Sequence, residues 1–193
     1  SLLKKKILSN PKLKLIINAV AFTDVDKAEV DKKNAREINT FLPKFLSNIS
    51  LKYRVPLIHF STDYVFDGKS KNPYKENDIP NPINYYGKTK LLGDKEILNS
   101  GCSGFIMRIG WVYSPNKNNF IGKIIELAKK NKIISVVDDQ FGSPTSSTLI
   151  AESVKHLIDI NFHIGKSNII NLSSSGKTSR SNMAKYLIEK KFK

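Results

Sequence analysis

Apolar residues fall into short unbroken runs separated by longer stretches in which they recur at helical spacing. Residues 13–21 (LKLIINAVA) form a nearly continuous apolar run ending in small side chains, which predicts a buried strand rather than one with a solvated face. Between 33 and 49, Ala35, Ile38, Leu42, Phe45, Leu46 and Ile49 repeat with the period of a helix. Pro43 stands inside that set and should kink or divide the helix, because it has no N–H for the bond four residues back.

A second buried run, residues 56–61 (PLIHFS), precedes STDYVFDG and a stretch to Pro82 that holds Gly68, Pro73, Pro80 and Pro82 without periodicity, the pattern of a long functional loop. A helix is expected from about Asn84 to Asn99, stopping near Gly101, followed by a strand over 105–109. The alternation continues with helices over 119–130 and 146–160, strands over 132–137 and 168–172, and a last amphipathic helix from about Thr178. Strands alternating with helices predict an α/β fold with a doubly wound parallel sheet. Two regions are expected, 1–110 forming part of that sheet and 111–193 completing it and contributing a small lobe.

At 193 residues the chain can bury a core without staples, and its single cysteine, Cys102, has no partner. A reduced, cytoplasmic setting suits that composition. No apolar run approaches the roughly twenty residues that span a bilayer. The net charge of +15 invites a polyanion, yet only Arg36, Arg54, Arg108 and Arg180 are arginines and the lysines are spread evenly, so nucleic acid is not the expected partner. His59, His156 and His163 lack metal-ligand spacing and read as core or surface side chains, and no metal site is expected.

Tyr-x-x-x-Lys is the pattern that carries chemistry. Residues four apart share a helix face, so a lysine ammonium set there can draw a phenol toward the pKa range of a proton donor. Three such pairs occur: Tyr86/Lys90, Tyr113/Lys117 and Tyr186/Lys190. Pro115 interrupts the second, and the third suits a solvated face of the last helix. Tyr86 and Lys90 alone follow a buried strand and a hydroxyl pair, Ser61 and Thr62, at the strand's carboxyl end, where open α/β sheets bind ligands.

INAVAFTDVDKAE from Ile17, STDYVFDG from Ser61, NPINYYGKTKLLGDK from Asn81, WVY at Trp111, NNF at Asn118 and DDQFGSPT from Asp138 together resemble, in order and spacing, the dTDP-4-dehydrorhamnose reductases of the extended short-chain dehydrogenase/reductase family. The resemblance covers nearly the whole chain and implies a Rossmann-like fold with a sugar-nucleotide lobe. It also implies reduction of dTDP-4-dehydro-β-L-rhamnose to dTDP-L-rhamnose with NADPH or NADH. Thr62, Tyr86 and Lys90 become the implied catalytic triad. Tyr86 would donate the proton, Lys90 would hold the nicotinamide ribose and depress the tyrosine pKa, and Thr62 would orient the sugar carbonyl. Thr62, Asp63, Val65, Phe66 and Trp111 match substrate positions, Trp111 offering an indole platform. Asn18, Ala19, Val20, Ala21, Phe60, Tyr86 and Lys90 match cofactor positions. A homodimer is compatible, and neither membrane nor nucleic acid is implied.

The chain departs from that pattern at Val20, where alanine is usual, and at Ile109 and Gly110, where small hydroxyl residues commonly precede WVY. Its ten glycines include no glycine-rich turn after a first strand, where a pyrophosphate would be cradled. The resemblance therefore implies that the first strands lie upstream of Ser1, and that the isolated chain turns over weakly or not at all. A rival from another class is a non-catalytic subunit resembling the regulatory β subunit of methionine adenosyltransferase, which shares STDYVFDG and YGKTK. WVY and DQFGSPT favour the reductase.

Overall fold

A computed structural model describes residues 13–114, 119–160 and 165–192. The chain divides into two compact units, Ser1–Arg108 with His163–Asn171, and Ile109–Phe162 with Leu172–Lys193.

In the first unit, strands β1 (Ile16–Asn18), β2 (Leu57–Thr62), β3 (Gly104–Ile109) and β7 (Ser167–Leu172) form one sheet in the order β1-β2-β3-β7. β1 and β2 run parallel, with Ile16 beside Leu57 and Asn18 beside His59. Ile58 and Met107 are buried, as are Leu57 and Ile106, so the central strands are enclosed on both faces, as their continuous apolar runs predict. Ile16, Leu57 and Ile106 pack with Leu46, Ile49, Val55, Ile97 and Cys102 into one core cluster.

Helices α1 (Val25–Val30) and α2 (Lys32–Arg36) are followed by a π turn, Glu37–Phe41, and by α3 (Leu42–Tyr53). The division expected at Pro43 is thus taken up just before it. Pro43 cannot donate to the Asn39 carbonyl, and the wider turn absorbs the missing bond, with Leu42 N–H reaching back to Glu37 O. Helix α4 (Tyr85–Ser100) begins at Asn84, whose side chain accepts the Gly87 N–H, and ends at Gly101 in the left-handed conformation, φ 73°.

Among its described residues, the second unit holds two small strand pairs and three helices. β4 (Val112–Tyr113) pairs parallel with β6 (Thr145–Ser146), and β5 (Phe141–Gly142) pairs antiparallel with β8 (Thr178–Ser179). Helix α5 (Phe120–Lys130) packs on α7 (Arg180–Phe192), and α6 (Ser147–Asp159) follows β6 directly.

Two expectations need correction. The run over 13–21 is a strand only at Ile16–Asn18, after which the chain turns off the sheet. The strand expected over 132–137 does not form, and Ile133 is 87% exposed. Branched apolar residues alone do not make a strand, because its backbone groups need a sheet edge to pair with. Lys117 and His163 lie outside the described residues.

Candidate active site

The first turn of α4 is fixed from three sides. Asn84 Oδ1 accepts the Gly87 N–H at 2.8 Å, and the Glu29 carboxylate accepts the Tyr85 N–H at 2.7 Å. The Tyr64 carbonyl oxygen lies where a Cβ on residue 87 would sit, so only glycine lets the 3-10 turn Asp63–Val65 lie against the helix. That close approach brings the end of β2 to Tyr86. Thr62 caps the 3-10 turn, its hydroxyl accepting the Tyr64 N–H at 3.2 Å and donating to Asp63 Oδ1 at 3.1 Å.

Tyr86 is buried, its ring meeting Tyr64 edge-on at 5.7 Å. Burial pushes its phenol up to about 12, a side-chain hydrogen bond with Thr62 works in the opposite direction, and Asp63 adds to the rise. The phenol is therefore held in its protonated form.

Lys90, one turn on, is also buried. Its amine donates to the Phe60 carbonyl oxygen at 2.6 Å and lies 3.3 Å from His59 Nε2. Burial lowers it to about 8, against the pull of Asp94. The expectation that Lys90 depresses the tyrosine pKa is not met, since Lys90 is not among the groups that shift the phenol. Desolvation dominates at both groups, raising the phenol and lowering the amine.

Sequence reasoning missed three residues around this pair. His59, read as a lone core histidine, is fully buried and bonded through both ring nitrogens, to Lys90 and to Asn18 Nδ2 at 2.9 Å. Burial and the neighbouring Lys90 hold it well below its ordinary value. Asp94 and Arg108 form a buried ion pair at 3.4 Å under the site. Burial raises the Asp94 carboxyl, while Ser61, Arg108 and Lys90 draw it down. Ser61 Oγ and Asp94 Oδ1 are nonetheless left without well-formed hydrogen bonds. The available signals were a polar residue inside an apolar strand and a carboxylate two turns beyond Tyr86 on the same helix face.

Of the residues singled out by sequence, the first unit brings together Asn18, Phe60, Thr62, Asp63, Tyr86 and Lys90. Ala19 and Val20 are exposed and Ala21 is half-buried, leaving the backbone beyond β1 open. Val65 and Phe66 are buried, and the Phe66 ring stacks on Tyr74 at 4.3 Å, so these two side chains serve packing. Trp111 belongs to the second unit. There the Arg180 guanidinium lies 3.7 Å over its ring, and a Cβ on Gly142 would come within 2.5 Å of Cε2. The indole is thus already in contact with a cation and a backbone segment. Tyr113 lies on β4, and Tyr186 is exposed on α7 with Lys190 above its ring at 5.7 Å. Among the described residues no group of three His, Cys, Asp or Glu is placed to hold a metal, and no helix is long and apolar enough to cross a membrane.

The chain resembles known proteins in sequence and in fold. The model of the RmlD substrate binding domain family matches residues 3–192. The chain is 38% identical over 146 residues to dTDP-4-dehydrorhamnose reductase of Salmonella typhimurium, covering 76% of this chain and 49% of that protein. It is 37% identical over 176 residues to the Sinorhizobium fredii enzyme of the same name, covering 90% and 60%. The crystal structure of the Bacillus anthracis dTDP-4-dehydrorhamnose reductase in complex with NADP superposes with a TM-score of 0.88 at 32% identity, over 96% of this chain and 65% of that one. The Clostridium acetobutylicum enzyme gives 0.88 at 34% identity, over 95% and 64%. The chain spans about half the length of several curated relatives it matches. A match over residues 3–192 places the chain in the RmlD substrate binding domain family.

Proposed function

We propose that this chain carries the substrate-orienting and proton-donating part of an NAD(P)H-dependent reductase that converts dTDP-4-dehydro-β-L-rhamnose to dTDP-L-rhamnose. The observation that carries the reading is the buried Tyr86 phenol, one helix turn from the buried Lys90 amine, on a helix against which the turn that follows Thr62 is packed. A ketone under reduction gathers negative charge on its oxygen, and the alkoxide formed is basic enough to take a proton even from a phenol whose pKa is high.

The residues fit the nicotinamide end of the cofactor. Lys90 as an ammonium has three N–H groups, of which Phe60 O and His59 take two, and the third suits a ribose hydroxyl. The exposed Ala19 and Val20 and the half-buried Ala21 offer the wall beside it. A bound reduced nicotinamide supplies the hydride to the keto carbon. Thr62 Oγ1, once its hydroxyl proton turns from Asp63 Oδ1 to the substrate, and Tyr86 Oη fix the carbonyl oxygen between them, and Tyr86 Oη gives up its proton to that oxygen as charge develops there. Burial around Tyr86 keeps water from competing for the proton. Asp63, exposed beside Thr62, is a contact for the sugar.

The test combines binding and turnover. Titration with dTDP-L-rhamnose is expected to move the amide resonances of Thr62, Asp63, Tyr86 and Lys90, whereas ATP at the same concentration leaves them in place. Tyr86→Phe is expected to retain that binding and, in a reductase that joins this chain to a glycine-rich pyrophosphate turn, to lower NADPH-dependent formation of dTDP-L-rhamnose about 10²–10⁴-fold, the usual loss on removing an acid catalyst. No response to the nucleotide sugar, together with stable association with a methionine adenosyltransferase catalytic subunit, would sink the reductase reading.

A further inference from the structure

Asn18, His59 and Lys90 form an unbroken hydrogen-bonded line across the end of the sheet. Asn18 stands beside His59 in the β1–β2 register. Its Oδ1 accepts the Val20 backbone N–H at 3.2 Å, and its Nδ2 faces His59 Nδ1 at 2.9 Å. His59 Nε2 then faces Lys90 Nζ at 3.3 Å. Asn18, His59 and Lys90 are all buried, so water does not substitute for a missing partner.

An amide nitrogen only donates, so Nδ1 must accept from Asn18 and carries no proton. A neutral imidazole then bears its proton on Nε2, aimed at Nζ, which can receive it only through the lone pair of an uncharged amine. An ammonium at Lys90 requires the opposite: a bare Nε2, a proton on Nδ1, and the Asn18 amide turned so that its oxygen faces the ring. That turn releases the Val20 N–H.

We propose that Asn18 and His59 are positioning residues that couple the backbone at Val20 to the charge of Lys90. While Asn18 holds the Val20 N–H, the amine is uncharged; when another acceptor takes that N–H, Asn18 turns, His59 exchanges tautomer and Lys90 becomes an ammonium. The change takes up one proton from water. The Nε2 proton passes to Nζ, the incoming proton ends on Nδ1, and no electrons move. The proposal rests on the reductase reading for its purpose: a cofactor lying against residues 18–21 would raise the pH up to which the site keeps the cation it needs. The other titratable and charged groups here are Asp94, further along α4 and favouring the ammonium, Arg108 on β3, which pairs with Asp94, and Tyr86, one turn before Lys90. Burial lowering both His59 and Lys90 agrees with a shared proton.

The test is nitrogen NMR of the ligand-free chain, following both His59 ring nitrogens and Lys90 Nζ from about pH 6 to about pH 10. At the alkaline end, Nε2 is expected to be protonated and Nδ1 bare. As the pH falls, the proton is expected to appear on Nδ1 at the midpoint where Nζ becomes charged, with the Val20 amide moving alongside. Asn18→Asp presents only acceptors to Nδ1, so it should raise that midpoint by roughly one pH unit or more. A single His59 tautomer throughout the lysine titration, or separate midpoints for the two residues, would overturn the proposal, and wild-type protein alone decides this. Neither readout uses substrate or turnover. Its failure therefore leaves the assignment of Tyr86 standing, and failure of dTDP-L-rhamnose binding leaves the relay standing.

Discussion

The Lys90 amine donates to the Phe60 carbonyl oxygen at 2.6 Å, so the residue that supplies the site's positive charge also ties α4 to the end of β2. Function and stability meet in that bond, and they pull in opposite directions.

Folding takes the Lys90 amine from its ordinary 10.5 to about 8. Its folded value lies below its unfolded one, so between these two pH values the unfolded chain binds more protons and stability rises with pH. This single group is expected to contribute up to about 3 kcal/mol of added stability as the pH passes from about 8 to about 10.5. Tyr86, raised to about 12, has the opposite sign above its ordinary 10.0, because there the folded chain keeps a proton the unfolded chain has lost. Urea denaturation between pH 7 and 10 should show the rise in the wild type and not in Lys90→Met. That variant should also be the more stable near pH 7. An unchanged slope in Lys90→Met would mean the amine is not desolvated.

Asp94 and Arg108 should behave as a buried pair. Their side chains are 0% and 3% exposed, so Asp94→Ala leaves a guanidinium enclosed without its counter-charge. The expected loss is about 3–5 kcal/mol, whereas Asp94→Leu combined with Arg108→Met should recover most of it. Denaturant midpoints of Asp94→Ala and of the double variant check this. A double variant as unstable as Asp94→Ala would place the effect in packing rather than charge.

Trp111 is the only tryptophan, so its fluorescence reports on the second unit alone. Gly142→Ala inserts a Cβ 2.5 Å from Trp111 Cε2, which the ring must avoid by moving. Arg180→Ala instead removes the cation 3.7 Å from the ring. Arg180→Ala is expected to shift emission to the red and to destabilise by about 0.5–2 kcal/mol. Gly142→Ala should broaden the near-ultraviolet circular dichroism of the indole. Spectra identical to wild type in both variants would contradict the contacts around Trp111.

Local chemistry explains why much of the first unit was legible. Asn84 and Gly101 bound α4 because one accepts an end N–H through its side chain and the other tolerates a positive φ, and both are properties of single residues. The division near Pro43 follows from a missing donor. The spacing of Tyr86 and Lys90 set them on one helix face without reference to any other part of the chain. Residues 132–137 show the limit of such reasoning, for their branched apolar side chains match a strand while Ile133 stands exposed.

By itself the sequence determined the order of the longer strands and helices of the first unit, the hydroxyl pair at the end of β2 and the Tyr86/Lys90 face, because periodicity and capping act over a few residues. Only the tertiary structure decided that His59 meets Lys90, that Asp94 meets Arg108 and that Trp111 meets Arg180. It also decided that the phenol is raised and the amine lowered. The physical reason is that protonation depends on which groups are taken out of water together, and strand register and helix packing make that selection among residues far apart in the chain.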